Sequence, residues 1–204
     1  MTMWGKSLVL LFMLAGSSAA ATAAAPFETM FAGFPENTSQ HGLRELAPVA
    51  FARAGLTRET GCMAAALYFE ARGESREGRI AVAQVIANRV RARAYPDTIC
   101  GVVWQNSHRR NACQFSFTCD GVADRPRGRM WRTVIREAKA FLCDPCAPKR
   151  LHPRRRLDRK TRGATHYHAT YVRPRWARRL ERTGKIGRHI FYVSARVRRT
   201  MPTG

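Results

Sequence analysis

The run ALYFE, Ala66 to Glu70, ends on the residue with the clearest chemical use. Four apolar residues lead straight into a glutamate, in a chain with 14 acids against 36 lysines and arginines. Burial disfavours the ionised carboxyl and raises its pKa, which is the state a general acid needs at neutral pH. A place near a helix C-terminus acts in the same sense, because the negative end of the helix dipole disfavours an anion. Arg72 works the other way if it points at Glu70, and a structural Glu–Arg pair is then the alternative. Glu74 and Glu77 follow in a polar stretch, where acids near a helix start suit its dipole. Glu74 is the better site candidate of the two, because Gly73 could fold it back beside Glu70.

A second cluster is THYHA, which sets His166 and His168 two apart. On a strand both face one side and Tyr167 faces the other. With His189 and a glutamate they could ligate a metal, as in a metal-dependent amidase or peptidase. Histidines that hydrogen-bond a core or touch a ligand are the commoner use of such residues. A serine hydrolase is poorer still, since no G-x-S-x-G elbow is present. Trp104, Phe115, Phe117, Trp131, Tyr167, Trp176, Phe191 and Tyr192 are mostly core, with a few free to stack on sugar rings. Gln114, Ser116 and Asn106 offer amide and hydroxyl contacts.

These residues need a scaffold. Alanine and leucine enrichment predicts a helix over Thr60–Ala71, ended by Gly73, so that Glu70 sits in its last turn. Val82, Val85, Ile86 and Val90 recur at helical spacing, with arginines on the opposite face and Pro96 ending the element. Thr98–Gln105 is a short apolar run that suits helix or strand equally. Asn111–Gly121 reads as an ordered loop with room for a short strand. A helix over Arg129–Leu142 carries one stripe of Trp131, Val134, Ile135, Ala138, Phe141 and Leu142, and that stripe is core. Two short strands, Ala164–Ala169 and Arg188–Val193, close the chain, with a turn and short helix between them. The segment 24–58 reads as a linker with a short helix over Gly42–Ala54, 147–163 as a solvated proline-arginine loop, and 194–204 as a frayed basic tail.

The formal charge of +22 and pI near 11.3 draw the protein to polyanions: nucleic acid, anionic lipid or an acidic envelope. The N-terminus narrows the choice. Lys6, an apolar stretch from Leu8 to Ala15, and the frame Ala21-Thr22-Ala23 read as a signal peptide over residues 1–23, too short to span a bilayer. Export to the periplasm or envelope leaves anionic envelope polymers or a membrane surface as partners and no nucleic acid. Six cysteines suit an oxidising compartment. Of about fifteen connectivities, the simplest pairs Cys113–Cys119 and Cys143–Cys146 locally and Cys62–Cys100 across a longer loop.

The ordered blocks ALYFEARGES, GRIAVAQVIANRV, PDTICGVVWQ, CQFSFTCDG, GATHYHA and KIGRHIFY resemble the SleB/CwlJ-type cell wall hydrolases. The resemblance runs from about Thr60 to Val193 and implies a catalytic domain over 59–193 of α+β class. That domain is mainly α and lysozyme-like, with a small β element near the C-terminus. It implies enzymes that cut the glycan strands of peptidoglycan, some as lytic transglycosylases, with the first glutamate of E-A-R-G-E, Glu70 here, as the catalytic acid. It also implies that the QFSFT loop and the THYH strand wall the groove. Gln114, Phe115, Ser116, His166 and Tyr167 are then binding candidates beside Glu74. Glycosidic cleavage needs a proton delivered to the leaving oxygen. Hydrolysis normally adds a second carboxylate, for which only Glu74 and Asp120 are in view, whereas a lytic transglycosylase manages with one acid. No metal or cofactor is expected, and a monomer is. A spore-germination role is not expected, because no peptidoglycan-binding repeat precedes the catalytic region and an arginine-rich insert interrupts it. The rivals are the metal-dependent amidase and a non-catalytic basic envelope binder in which Glu70 is structural.

Overall fold

The computed structural model describes residues 55–109, 112–120, 126–143, 161 and 163–200. The signal segment, the 42–54 helix and nearly all of the 147–163 loop lie outside them. Two helices form the centre. α1 (Arg58–Ala71) starts where the Thr57 hydroxyl accepts from the Thr60 N–H at 3.2 Å, and α2 (Arg76–Arg91) starts on an equivalent bond from Gly78 to Ser75. α1 is buried almost all round, from Thr60 to Tyr68 and again at Ala71. A helix of that kind belongs at the middle of a core, so a carboxylate in its last turn is enclosed by neighbours.

The ambiguous run at 98–105 is a helix, α3 (Ile99–Val103). Thr98 caps it, and Glu59 of α1 accepts from the Ile99 N–H at 2.6 Å, satisfying donors that a helix start leaves open. Cys62–Cys100 joins α1 to α3, and Cys113–Cys119 closes the following loop, as the spacing predicts. Cys143 is disulfide-bonded too, but its expected partner Cys146 lies outside the described residues. The loop between Cys113 and Cys119 carries a 3₁₀ turn over Ser116–Thr118 and no strand. α4 (Gly128–Leu142) packs on α1 through Trp131, Val134, Ala138 and Phe141, all fully buried, so the stripe is core.

The C-terminal part is a three-stranded antiparallel sheet in the order β1–β3–β2. β1 (His166–Ala169) pairs with β3 (His189–Val193), Tyr167 opposite Phe191. β2 (Glu181–Ile186) is a strand where a turn with a short helix was expected; a 3₁₀ turn over Arg175–Arg179 precedes it. Glu-Arg-Thr-Gly-Lys-Ile has no apolar alternation because five of its six residues stay partly or fully exposed. The tail also differs from expectation: α5 (Ala195–Thr200) is helical, and Val197 packs with Ala92 and Val193. The whole is mainly helical with a small sheet near the C-terminus, the class the sequence predicts.

Candidate active site

Glu70 projects from the last turn of α1 into a space closed by three other segments. The Tyr167 hydroxyl, from β1, donates to its Oε2 at 3.3 Å. Ser116, in the disulfide-closed loop, turns its backbone N–H and hydroxyl toward the carboxylate, and Arg89 of α2 adds a positive charge from behind. Burial outweighs these three and holds the Glu70 carboxyl above the usual glutamate range; Tyr167, Arg89 and Ser116 each pull it back without cancelling that effect. Arg72 is not one of the groups that shift it, and lies over the Tyr68 ring at 5.5 Å. The structural Glu70–Arg72 pair is therefore not formed.

Tyr167 is partly buried, its ring against His189 and Phe191, and burial around its hydroxyl pushes that group well above the ordinary tyrosine value. It serves as a neutral donor. Phe69 and Phe117 stack at 4.7 Å beside the loop, with Trp104 edge-on to Phe117, and Phe69 and Trp104 keep part of their surface open.

The other candidate residues fall in different places. Ser116 is exposed next to Glu70. Phe115, expected to face substrate, is only 2% exposed and lies 5.6 Å from the Arg89 guanidinium, so it backs the wall instead of presenting a ring. Gln114 turns inward: with its amide oxygen facing the guanidinium, it accepts from Arg89 Nη1 at 2.9 Å and Nη2 at 3.1 Å. Glu74 does not come back beside Glu70. Its two oxygens accept from the Arg188 N–H at 3.0 Å and Nε at 2.9 Å. Burial raises Glu74, but the Arg188 bonds outweigh it and hold the carboxyl below the usual range. Glu74 thus ties the α1–α2 turn to the β2–β3 hairpin, where Gly187 takes a φ of +55° and a side chain would strike the carboxylate.

Strand alternation separates His166 and His168 from Glu70. Tyr167 faces the carboxylate while both histidines pack against Trp176 on the opposite side. His168 is committed, with Nδ1 at 2.9 Å from the Ala169 carbonyl and Nε2 at 3.0 Å from the Tyr192 hydroxyl. Burial, helped by Arg89, lowers His166 to about 4, so it is neutral near pH 7. Among the described residues no three His, Cys, Asp or Glu side chains come together as a metal site requires. Nor is either suggested second carboxylate among the groups that shift Glu70.

Arg89 is the residue that the sequence pattern conceals. The arginines of α2 read as a solvated face, yet Arg79 is 7% and Arg89 3% exposed. Arg91 and Arg93 do remain outside. The only local sign was position: Arg89 follows Val85 and Ile86 by four and three residues, on the buried face.

Comparison with known proteins places these features in context. The family described as Cell Wall Hydrolase matches residues 73–192, and Glu70 lies just ahead of that span. A spore cortex-lytic enzyme of Bacillus cereus is 30% identical over 129 residues, 63% of this chain and 42% of that protein. Another from Halalkalibacterium halodurans is 32% identical over 130 residues, 63% of this chain and 33% of its own length. The chain spans less than half the length of these curated relatives. Among solved structures, the catalytic domain of the germination-specific lytic transglycosylase SleB from Bacillus anthracis is 28% identical. The match has a TM-score of 0.47 and covers 66% of this chain and 93% of that one.

Proposed function

The chain belongs to the family of cell wall hydrolases, and on that footing we propose that it cleaves the glycan strands of peptidoglycan as a lytic transglycosylase, with Glu70 as general acid and then general base. The observation that carries this is a single enclosed carboxyl, raised by burial and held by neutral donors, with no carboxylate partner among the groups acting on it. Four other described acids are engaged elsewhere: Glu59 with the start of α3, Glu74 with Arg188, Glu137 with Arg79 and Glu181 with Arg198.

The protonated Glu70 carboxyl gives its proton to the glycosidic oxygen as the bond to the muramic C1 breaks and the bonding electrons leave with that oxygen. The muramic 6-hydroxyl then adds to C1, its proton passes to the Glu70 carboxylate, and a 1,6-anhydro end forms with no water consumed. The acid form of Glu70 is restored. Tyr167 and Ser116 stabilise the transient carboxylate, and Ser116, exposed at the mouth, is also the binding candidate best placed to meet a sugar. Gln114 and Phe115 act from behind the wall.

The catalytic domain extends over 59–193. The signal-like N-terminal sequence, the oxidised cysteines and the +22 charge support an enzyme of the periplasm or envelope, held near acidic envelope polymers or lipid by salt-sensitive attraction. Release of soluble fragments from purified sacculi tests the core of this. Wild type releases them, and Glu70→Gln loses on the order of 10²–10⁴-fold of the rate while staying folded. A folded, active Glu70→Gln overturns the proposal, and sacculus binding with no release by wild type would favour a non-catalytic binder.

A further inference from the structure

Two arginines of α2 are buried, and only one has an anion bonded to it. Arg79 gives Nε and Nη2 to the two oxygens of Glu137 at 2.7 and 2.6 Å and Nη1 to the Glu74 carbonyl at 2.6 Å. Arg89 has no bonded carboxylate among the described residues. Its Nε donates to the Thr165 carbonyl at 2.7 Å, its two Nη atoms share the Gln114 amide oxygen, and the Tyr95 and Phe115 rings lie 5.5 and 5.6 Å from its guanidinium. A guanidinium stays charged in a protein, so a permanent cation is held inside the fold with Glu70 as the carboxylate whose charge it senses. An enclosed charge of that kind is costly unless it is hydrogen-bonded, so the groups it bonds indicate what holds it there.

Thr165 is two residues before Tyr167, and Gln114 is two residues before Ser116. Those are the two residues that face Glu70 with donors; Asn88 of α2 also holds the β1 segment, through its Nδ2 on the Ala164 carbonyl at 2.9 Å, but Arg89 bonds both segments at once. One planar fork therefore sets both segments against the carboxylate.

We propose that Arg89 is a positioning residue of the Glu70 site: its guanidinium fork holds the Tyr167 strand and the Ser116 loop on Glu70, and its charge stabilises the carboxylate left after Glu70 donates its proton. This rests on Glu70 as the acid and base. The charged and titratable groups that act on Glu70 are Tyr167 on β1 and Arg89 on α2, with Tyr95 and, from the other side of β1, His166 coupled to Arg89 and not to Glu70. Burial lowers His166 to about 4 and pushes Tyr167 well above the ordinary tyrosine value, whereas it raises Glu70 above the ordinary glutamate value. The alkaline limb of the rate profile is therefore that of Glu70.

The test uses the full chain and soluble glycan strands, with rate followed against pH. Arg89→Met lowers kcat by about 10-fold or more and moves the alkaline limb to higher pH, because a cation that favoured the Glu70 anion is gone. Arg89→Lys keeps the charge and loses the fork, so its limb stays near that of wild type while kcat still falls. A folded Arg89→Met with an unmoved limb overturns the proposal. If Arg89→Met does not fold, Gln114→Met decides: a several-fold fall in kcat at unchanged KM supports positioning, whereas a rise in KM alone makes Gln114 a substrate contact and overturns it. Glu70→Gln is run alongside. If it retains activity, the Glu70 assignment falls and the Arg89 proposal with it; if it is inactive, the limb tests Arg89 alone.

Discussion

At the N-terminal end of α2, Arg79, Glu137, Glu74 and Arg188 satisfy one another with short, geometrically complete bonds. At its C-terminal end, Arg89 and Glu70 influence each other through space, with Tyr167, Gln114 and the Thr165 carbonyl taking the hydrogen bonds between them. Both arginines are buried and both lie on one helix, so burial alone does not separate a structural ion from a chemical one. The difference is closure. A bidentate Arg–carboxylate pair leaves neither partner free to change protonation at neutral pH. An enclosed carboxyl facing neutral donors and a cation one layer behind can take up and release a proton, and the environment adjusts how readily.

That contrast can be broken from either end. The largest stability effect is expected from Glu137→Ala, which strands a buried Arg79 and costs about 3–5 kcal/mol in denaturant unfolding. It leaves the alkaline limb of activity where it was. Arg79→Met combined with Glu137→Met recovers most of that loss, since an apolar pair of similar volume often matches a buried ion pair. A limb that moves with Glu137→Ala would mean the two ends of α2 are electrically one site.

Tyr167→Phe removes a donor that favours the Glu70 anion. Its expected signature is a folded protein whose alkaline limb moves to higher pH and whose kcat falls by about 10- to 100-fold, in the range of a charge-assisted hydrogen bond of about 1.5–3 kcal/mol. An unchanged limb would show that the 3.3 Å contact does not act on Glu70.

The smallest effects come from the two glutamates four residues apart, and they have opposite signs with pH. Glu70 is raised in the folded state, so the stability it contributes is present below the ordinary glutamate pKa and is lost as pH rises through its folded value. Glu70→Gln should then unfold at a higher temperature than wild type above that value, with no such gain in acid. Glu74 is lowered, so its contribution is present above the ordinary value and disappears as pH falls through its folded value. Glu74→Gln should therefore cost about 1 kcal/mol near neutrality and converge on wild type in acid. Melting curves across pH read both, and parallel curves for the two variants would remove the distinction between them.

Much of this site is legible from local sequence. An apolar run into Glu70 with a glycine break places an acid in the last turn of a buried helix, and the cysteine spacings give both described disulfides. What local sequence leaves out depends on distant partners. Arg89 reads as one of several surface arginines because its acceptor at Thr165 lies 76 positions away. Glu74 reads as a possible second acid because the hairpin that captures it arrives 114 positions later. Phe115 reads as a stacking ring because the cation that fills the space beneath it is contributed by another helix. β2 is invisible to periodicity because edge pairing with β3, and not an apolar face, makes it a strand.

The most direct test is the mass of the ends released from purified peptidoglycan by wild type and by Glu70→Gln. A single acid acting alone predicts fragments lighter by one water, with 1,6-anhydro termini, that vanish in the variant. Reducing ends of full mass would contradict it and require a second carboxylate acting on water at this site.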